Sequence, residues 1–78
     1  MTKNQMEIIG DNLTAYKNNF GYIEIEEADY ENGFYVFTSE KRKESGDYTQ
    51  YCYNIDYLNG WLYGAVQAVN RVMKPVRK

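Results

Sequence analysis

Histidine is absent from this chain, cysteine occurs once, at Cys52, and proline once, at Pro75. Without histidine, the Ser-His-Asp and Cys-His arrangements are excluded together with the Cys/His zinc sites, and a single cysteine excludes an intrachain disulfide. Long apolar runs are missing as well. The richest stretch, Leu58 to Val72, is interrupted by Asn59, Gln67, Asn70 and Arg71 and falls far short of the roughly 20 apolar residues that span a bilayer. No charged and then hydrophobic leader stands at the N-terminus, and a lone cysteine in an aromatic segment reads as a reduced, packed thiol. The expected protein is cytoplasmic, with no membrane association.

What is present is buryable surface. The 78 residues are 44% apolar and 17% aromatic, with nine tyrosines, 26% charged residues and a net charge of -2. This is the composition of a small acidic globular protein. A chain of this length forms one domain, here residues 1–78, and buries only about 60% of its unfolded surface, so a sizeable active-site cavity is not expected.

Periodicity orders the elements. Met6, Ile9, Leu13, Tyr16 and Phe20 recur at steps of three and four, and Thr2 with Gln5 has capping-box spacing, so a helix is expected over 3–19. From Tyr22 the period changes to two, giving a strand at 22–29. Asn32-Gly33, the preferred pair of a type I′ turn, leads into a second strand at 34–40. The run Lys41-Arg42-Lys43-Glu44-Ser45-Gly46 reads as the next reversal, followed by a β-branched and aromatic strand at 47–55. A second helix is expected over 56–73, capped by Asp56, carrying Leu58, Trp61, Leu62, Ala65, Val69 and Val72 on one stripe and stopped by Pro75. The fold class is therefore α+β, in the order α-β-β-β-α: a three-stranded antiparallel meander with both helices on one face.

Two-residue turns at Asn32-Gly33 and Ser45-Gly46 would place Glu31 opposite Phe34, Asp29 opposite Val36 and Val36 opposite Ile55. Ile23, Ile25, Phe34, Val36 and Ile55 then form the helix-covered face. The other face collects Tyr22, Glu24, Glu26, Tyr30, Tyr35, Phe37, Tyr48, Gln50 and Cys52, with no helix left to cover it. A contiguous exposed aromatic patch marks a partner interface, although tyrosine is also a good strand residue whose ring stacks across strands with its hydroxyl in water. Tyr22, Glu24, Glu26, Tyr30, Tyr35, Phe37 and Tyr48 are the candidate partner-binding residues.

Charge is segregated. Glu24, Glu26, Glu27, Asp29 and Glu31 fall in a segment with no Lys or Arg between Lys17 and Lys41, while Lys41-Arg42-Lys43 and the terminal Arg71, Lys74, Arg77 and Lys78 make two basic spots. Lys41, Arg42, Lys43, Arg71 and Lys74 are the alternative candidates, for contact with nucleic acid. Solubility and protection of strand edges account for the same pattern. Gly60, Gly64 and Ala68 form a small-residue stripe on the last helix, suited to close packing within the chain or to a homodimer seam. No nucleophile and base share a local spacing, and neither a calcium loop nor a phosphate-binding glycine loop occurs. The expectation is a protein that is not an enzyme and needs no cofactor or metal.

The element order resembles that of the double-stranded-RNA-binding domain, but the lysine cluster at the start of that domain's last helix is replaced here by Asp56-Tyr57-Leu58-Asn59-Gly60-Trp61. In size, element order, Tyr/Asn/Glu/Lys-rich composition and acidic strand residues, the chain resembles the small inhibitors, anti-CRISPR proteins among them, that phages and mobile elements of Gram-positive bacteria encode against host systems. That resemblance implies a host protein as partner, blocked by carboxylates standing where phosphates would lie: Glu24, Glu26, Glu27, Asp29 and Glu31. A nucleic-acid-binding accessory protein and a structural homodimer burying its tyrosine face are the competing expectations.

Overall fold

The computed structural model describes residues 1–29 and 32–73, with side chains described as far as Asn70. Helix α1 (Lys3–Phe20) starts where the capping box puts it: the Thr2 hydroxyl accepts from the Gln5 N–H, and the Gln5 side chain accepts from the Thr2 N–H. Gly21, at φ 92°, ends the helix, and its N–H donates to the Lys17 carbonyl. Strands β1 (Glu24–Glu27), β2 (Phe34–Phe37) and β3 (Gln50–Cys52) lie inside the expected spans and pair antiparallel in the order β1-β2-β3. The last helix runs from Ile55 to Met73 and is preceded by Asn54, whose side chain accepts from the Tyr57 N–H. Asn54 rather than Asp56 therefore caps it, because the helix begins one residue earlier than expected.

The α+β class and the order helix, three strands, helix stand, with one addition. The basic run between β2 and β3 is a short helix, Glu40–Ser45, not a reversal. It is called α2 and the last helix α3. Ser39 accepts from the Arg42 N–H at its start, and Gly46, left-handed at φ 73°, closes its end. The serine and the glycine are the N-cap and C′ signals of a helix, and they outweigh the turn propensity of the charged run between them.

That insertion changes the register of β3. Val36 lies opposite Gln50, not Ile55, a shift by an odd number of residues, so β3 is turned over: Cys52 and Gln50 share the inner face with Phe34 and Val36, and Tyr51 points outward beside Tyr35. Along β1 the shift is even. Ile25 rather than Asp29 faces Val36 and Glu27 rather than Glu31 faces Phe34, so every side chain keeps its expected face. The β1–β2 connection is longer than a two-residue type I′ turn: Asn32 has φ 55°, Gly33 does not share the positive φ, and the Ala28 N–H donates to the Gly33 carbonyl at 2.8 Å. Gly33 is glycine for another reason. The Tyr51 ring occupies the space where a Cβ would stand, which would lie 2.6 Å from Tyr51 Cζ.

The core forms between the inner face and the two long helices. Phe34, Val36, Cys52 and Ile23 meet Ile9 and Tyr16 of α1 and Leu58, Leu62 and Val66 of α3, all buried. Each of the Phe, Ile, Leu and Val side chains contributes about 1.5–3 kcal/mol on burial. Between the helices Trp61 stacks on Tyr16 with ring centroids 5.7 Å apart, and Asn12 donates to Asn59 at 2.8 Å. The small-residue stripe takes no part in this packing. Gly60, Gly64 and Ala68 face solvent, and a Cβ on either glycine would meet nothing within 4 Å, so the expected intrachain contact is absent among the described residues.

Candidate interaction surface

Alternation along β1 and β2 puts Glu24, Glu26, Tyr35 and Phe37 on the outer face, and the inverted β3 adds Tyr51. The sequence reading missed Tyr51, because only the length and form of the β2–β3 connection decide which face of β3 turns outward. Tyr35 is half-buried between two rings, Tyr48 at 4.7 Å and Tyr51 at 5.4 Å, both tilted. Such pairs add about 0.5–1.5 kcal/mol beyond their buried area. Tyr48, just before β3, is the accessible member, with 46% of its surface in water.

The expectation that no helix covers this face is corrected at Phe37. The Phe37 side chain is only 4% exposed because α2 folds back over it: the Lys43 ammonium stands 5.5 Å above the ring centroid and 2.9 Å from a Glu26 carboxylate oxygen. Aromatic ring and carboxylate together hold the cation in place. The Glu26 hydrogen bond is the first cause that raises the Lys43 pKa above its ordinary value. Tyr22, half-buried beside them, is raised too, by desolvation first and then by Glu24, Glu40 and Glu44, against the lowering effect of Lys43. The outer face therefore has an aromatic centre at Tyr35, Tyr48 and Tyr51 and a net negative flank at Glu24, Glu40 and Glu44.

Of the candidate partner residues, the fold brings Tyr22, Glu24, Glu26, Tyr35 and Tyr48 onto or beside this face and withdraws Phe37 into packing. Tyr30 lies outside the described residues. Gln50 and Cys52, expected here, belong to the inner face. Burial pushes the Cys52 thiol up to about 11, which keeps it a neutral packing group at physiological pH.

The basic candidates are largely occupied. Arg42 pairs with Asp47 at 3.5 Å and reaches the Tyr48 carbonyl at 3.4 Å, while Lys43 is held by Glu26, which leaves Lys41 as the member of the triplet whose side chain enters no ion pair among the described residues. Lys74 and the Arg71 side chain lie outside them.

A groove of about 180 Å³ runs between α1 and β1, with Met6, Ile9 and Leu13 on one side, Ile23 and Ile25 on the other, and Lys17 and Glu24 adding charged lining. This is below the roughly 300–1,000 Å³ of small-molecule pockets and nearer the size of one or two side chains. Among the described residues, no group of three His, Cys, Asp or Glu side chains is placed to hold a metal ion, and no helix is long and apolar enough to cross a membrane. No protein-family model matches this chain, and no curated protein or solved structure matches it significantly.

Proposed function

We propose that this protein is a small non-enzymatic binding protein that recognises a basic surface on another protein through the outer face of its sheet. The observation that carries this reading is the cluster of Tyr35, Tyr48 and Tyr51 on a face that also carries Glu24, with Glu40 and Glu44 near Tyr22. Clustered tyrosines supply large contact area at low entropic cost, and flanking carboxylates steer a cationic partner and reject an anionic one. Nucleic acid is disfavoured by that negative flank and by the engagement of Arg42 and Lys43 within the chain. A homodimer through the same face would set like charges against each other.

The narrower form of the proposal, an inhibitor of phage or mobile-element type acting on a cytoplasmic host protein, rests on the resemblance drawn from the sequence and is supported by Glu24 and Glu26 standing on one accessible face. The test is capture from a bacterial lysate with two baits, the native chain and Tyr48→Ala. A stoichiometric protein retained by the first and lost from the second supports the reading; one retained equally by both refutes the assigned face.

A further inference from the structure

The dipeptide Asn-Gly occurs twice in the chain, at Asn32-Gly33 and at Asn59-Gly60. It is chemically labile in water, because the backbone nitrogen that follows asparagine can attack the asparagine's own side-chain amide, and glycine has no side chain to block the approach. The fold treats the two copies differently. Asn59-Gly60 lies inside α3, where the Gly60 nitrogen belongs to the helical hydrogen-bond ladder and the Asn59 amide oxygen accepts from Asn12 at 2.8 Å. A helical side chain leans toward the N-terminus, away from the nitrogen that follows it. Asn32 instead lies exposed in the β1–β2 connection at φ 55°, and among the described residues neither its side chain nor the Gly33 N–H enters a hydrogen bond.

We infer that Asn32 is a site of spontaneous modification to aspartate and isoaspartate, and that α3 holds Asn59 inert. The Gly33 nitrogen bonds to Cγ of Asn32, its proton passes to water, and the side-chain nitrogen leaves as ammonia. Water then opens the cyclic imide. Cleavage between the nitrogen and Cγ leaves aspartate on the original backbone, whereas cleavage between the nitrogen and the main-chain carbonyl carbon of Asn32 leaves isoaspartate, with the chain running through Cβ and Cγ. The second product is the disruptive one, because Gly33 is fixed on two sides. Its carbonyl accepts from the Ala28 N–H at 2.8 Å, and the Tyr51 ring fills the place where a Cβ would stand. A methylene added to the backbone just before Gly33 displaces it from that ring, and Tyr51 is itself packed on Tyr35 with centroids 5.4 Å apart. The modification therefore reaches the aromatic centre of the outer face, whatever partner that face takes.

The test incubates the full chain in mildly alkaline buffer and follows both asparagines by peptide mass mapping, with isoaspartate separated from aspartate by chromatography. The expected result is a mass gain of hydroxyl for amide at Asn32 that accumulates faster as pH rises, with Asn59 at least about tenfold slower because it waits for the helix to open. Asn32→Gly, which suits the positive φ and carries no side-chain amide, shows no gain in that segment. The purified isoaspartate form shows shifted ring signals at Tyr35 and Tyr51 that Asn32→Asp, with the same added charge and an unchanged backbone, does not reproduce. The inference is overturned if the folded chain keeps Asn32 intact while the urea-unfolded chain converts it, or if Asn59 converts as fast as Asn32. Ring signals of the isoaspartate form that match those of Asn32→Asp overturn it as well. No partner takes part in these readouts, so the sheet-face reading stands or falls apart from them.

Discussion

Tyr48 and Phe37 look alike as sequence, two aromatic residues next to or within strands, and the structure separates them. Phe37 lies under Lys43 and is closed off from solvent, so Phe37→Ala removes packing and is expected to destabilise the fold by about 3 kcal/mol, read as a lowered midpoint in urea. Tyr48 sits at the rim of its ring cluster, so its truncation is expected to leave that midpoint nearly unchanged. Gly33 gives the opposite kind of test. A methyl group there overlaps the Tyr51 ring, and Gly33→Ala is expected to cost about 1–3 kcal/mol through forced displacement of that ring, with chemical-shift changes concentrated at Tyr35 and Tyr51. Nothing in the sequence marked Gly33 for this role, since Asn32-Gly33 reads as a turn and the approach of Tyr51 depends on the register of β3.

The long helices were legible because their signals are local: three-and-four spacing in α1 and α3, the Thr2/Gln5 box, and a Gly21 terminus. α2 was partly legible, in Ser39 and Gly46, but its charged interior hides the helix from any reading based on apolar periodicity. Its attachment through Lys43 is expected to depend on pH. The raised folded-state pKa means that this contribution is fully present below the ordinary lysine value of 10.5 and is lost as pH rises through the higher folded value. The native chain should therefore exceed Lys43→Met in stability at neutral pH and lose that advantage in strong alkali, as parallel urea melts from neutral to alkaline pH would record. In α3 the stripe was legible and its role was not. With Gly60 and Gly64 open to solvent, Gly60→Ala and Gly64→Ala should each stabilise the chain, by up to about 1 kcal/mol, because alanine is the better helix former and its methyl group meets nothing. Destabilisation of either variant in calorimetry would show that another surface packs there.

For the molecule as a whole, one parity decides what the surface offers. The fold class, the helix-covered face of β1 and β2, and the acidic strand could all be read from alternation, because an even slip leaves faces unchanged. The composition of the aromatic patch could not, because α2 lengthens the β2–β3 connection and inverts β3, exchanging Cys52 for Tyr51 on the outer face. The resulting surface combines an aromatic centre with carboxylates near Tyr22, the two features on which the proposed cationic partner rests. The central claim is that this face is where the partner binds. It is tested most directly by calorimetric titration of the captured, purified partner into the native chain and into Tyr48→Ala. The expected result is a loss of about 1–3 kcal/mol in binding free energy with an unchanged melting midpoint; equal affinity for the two proteins would contradict it.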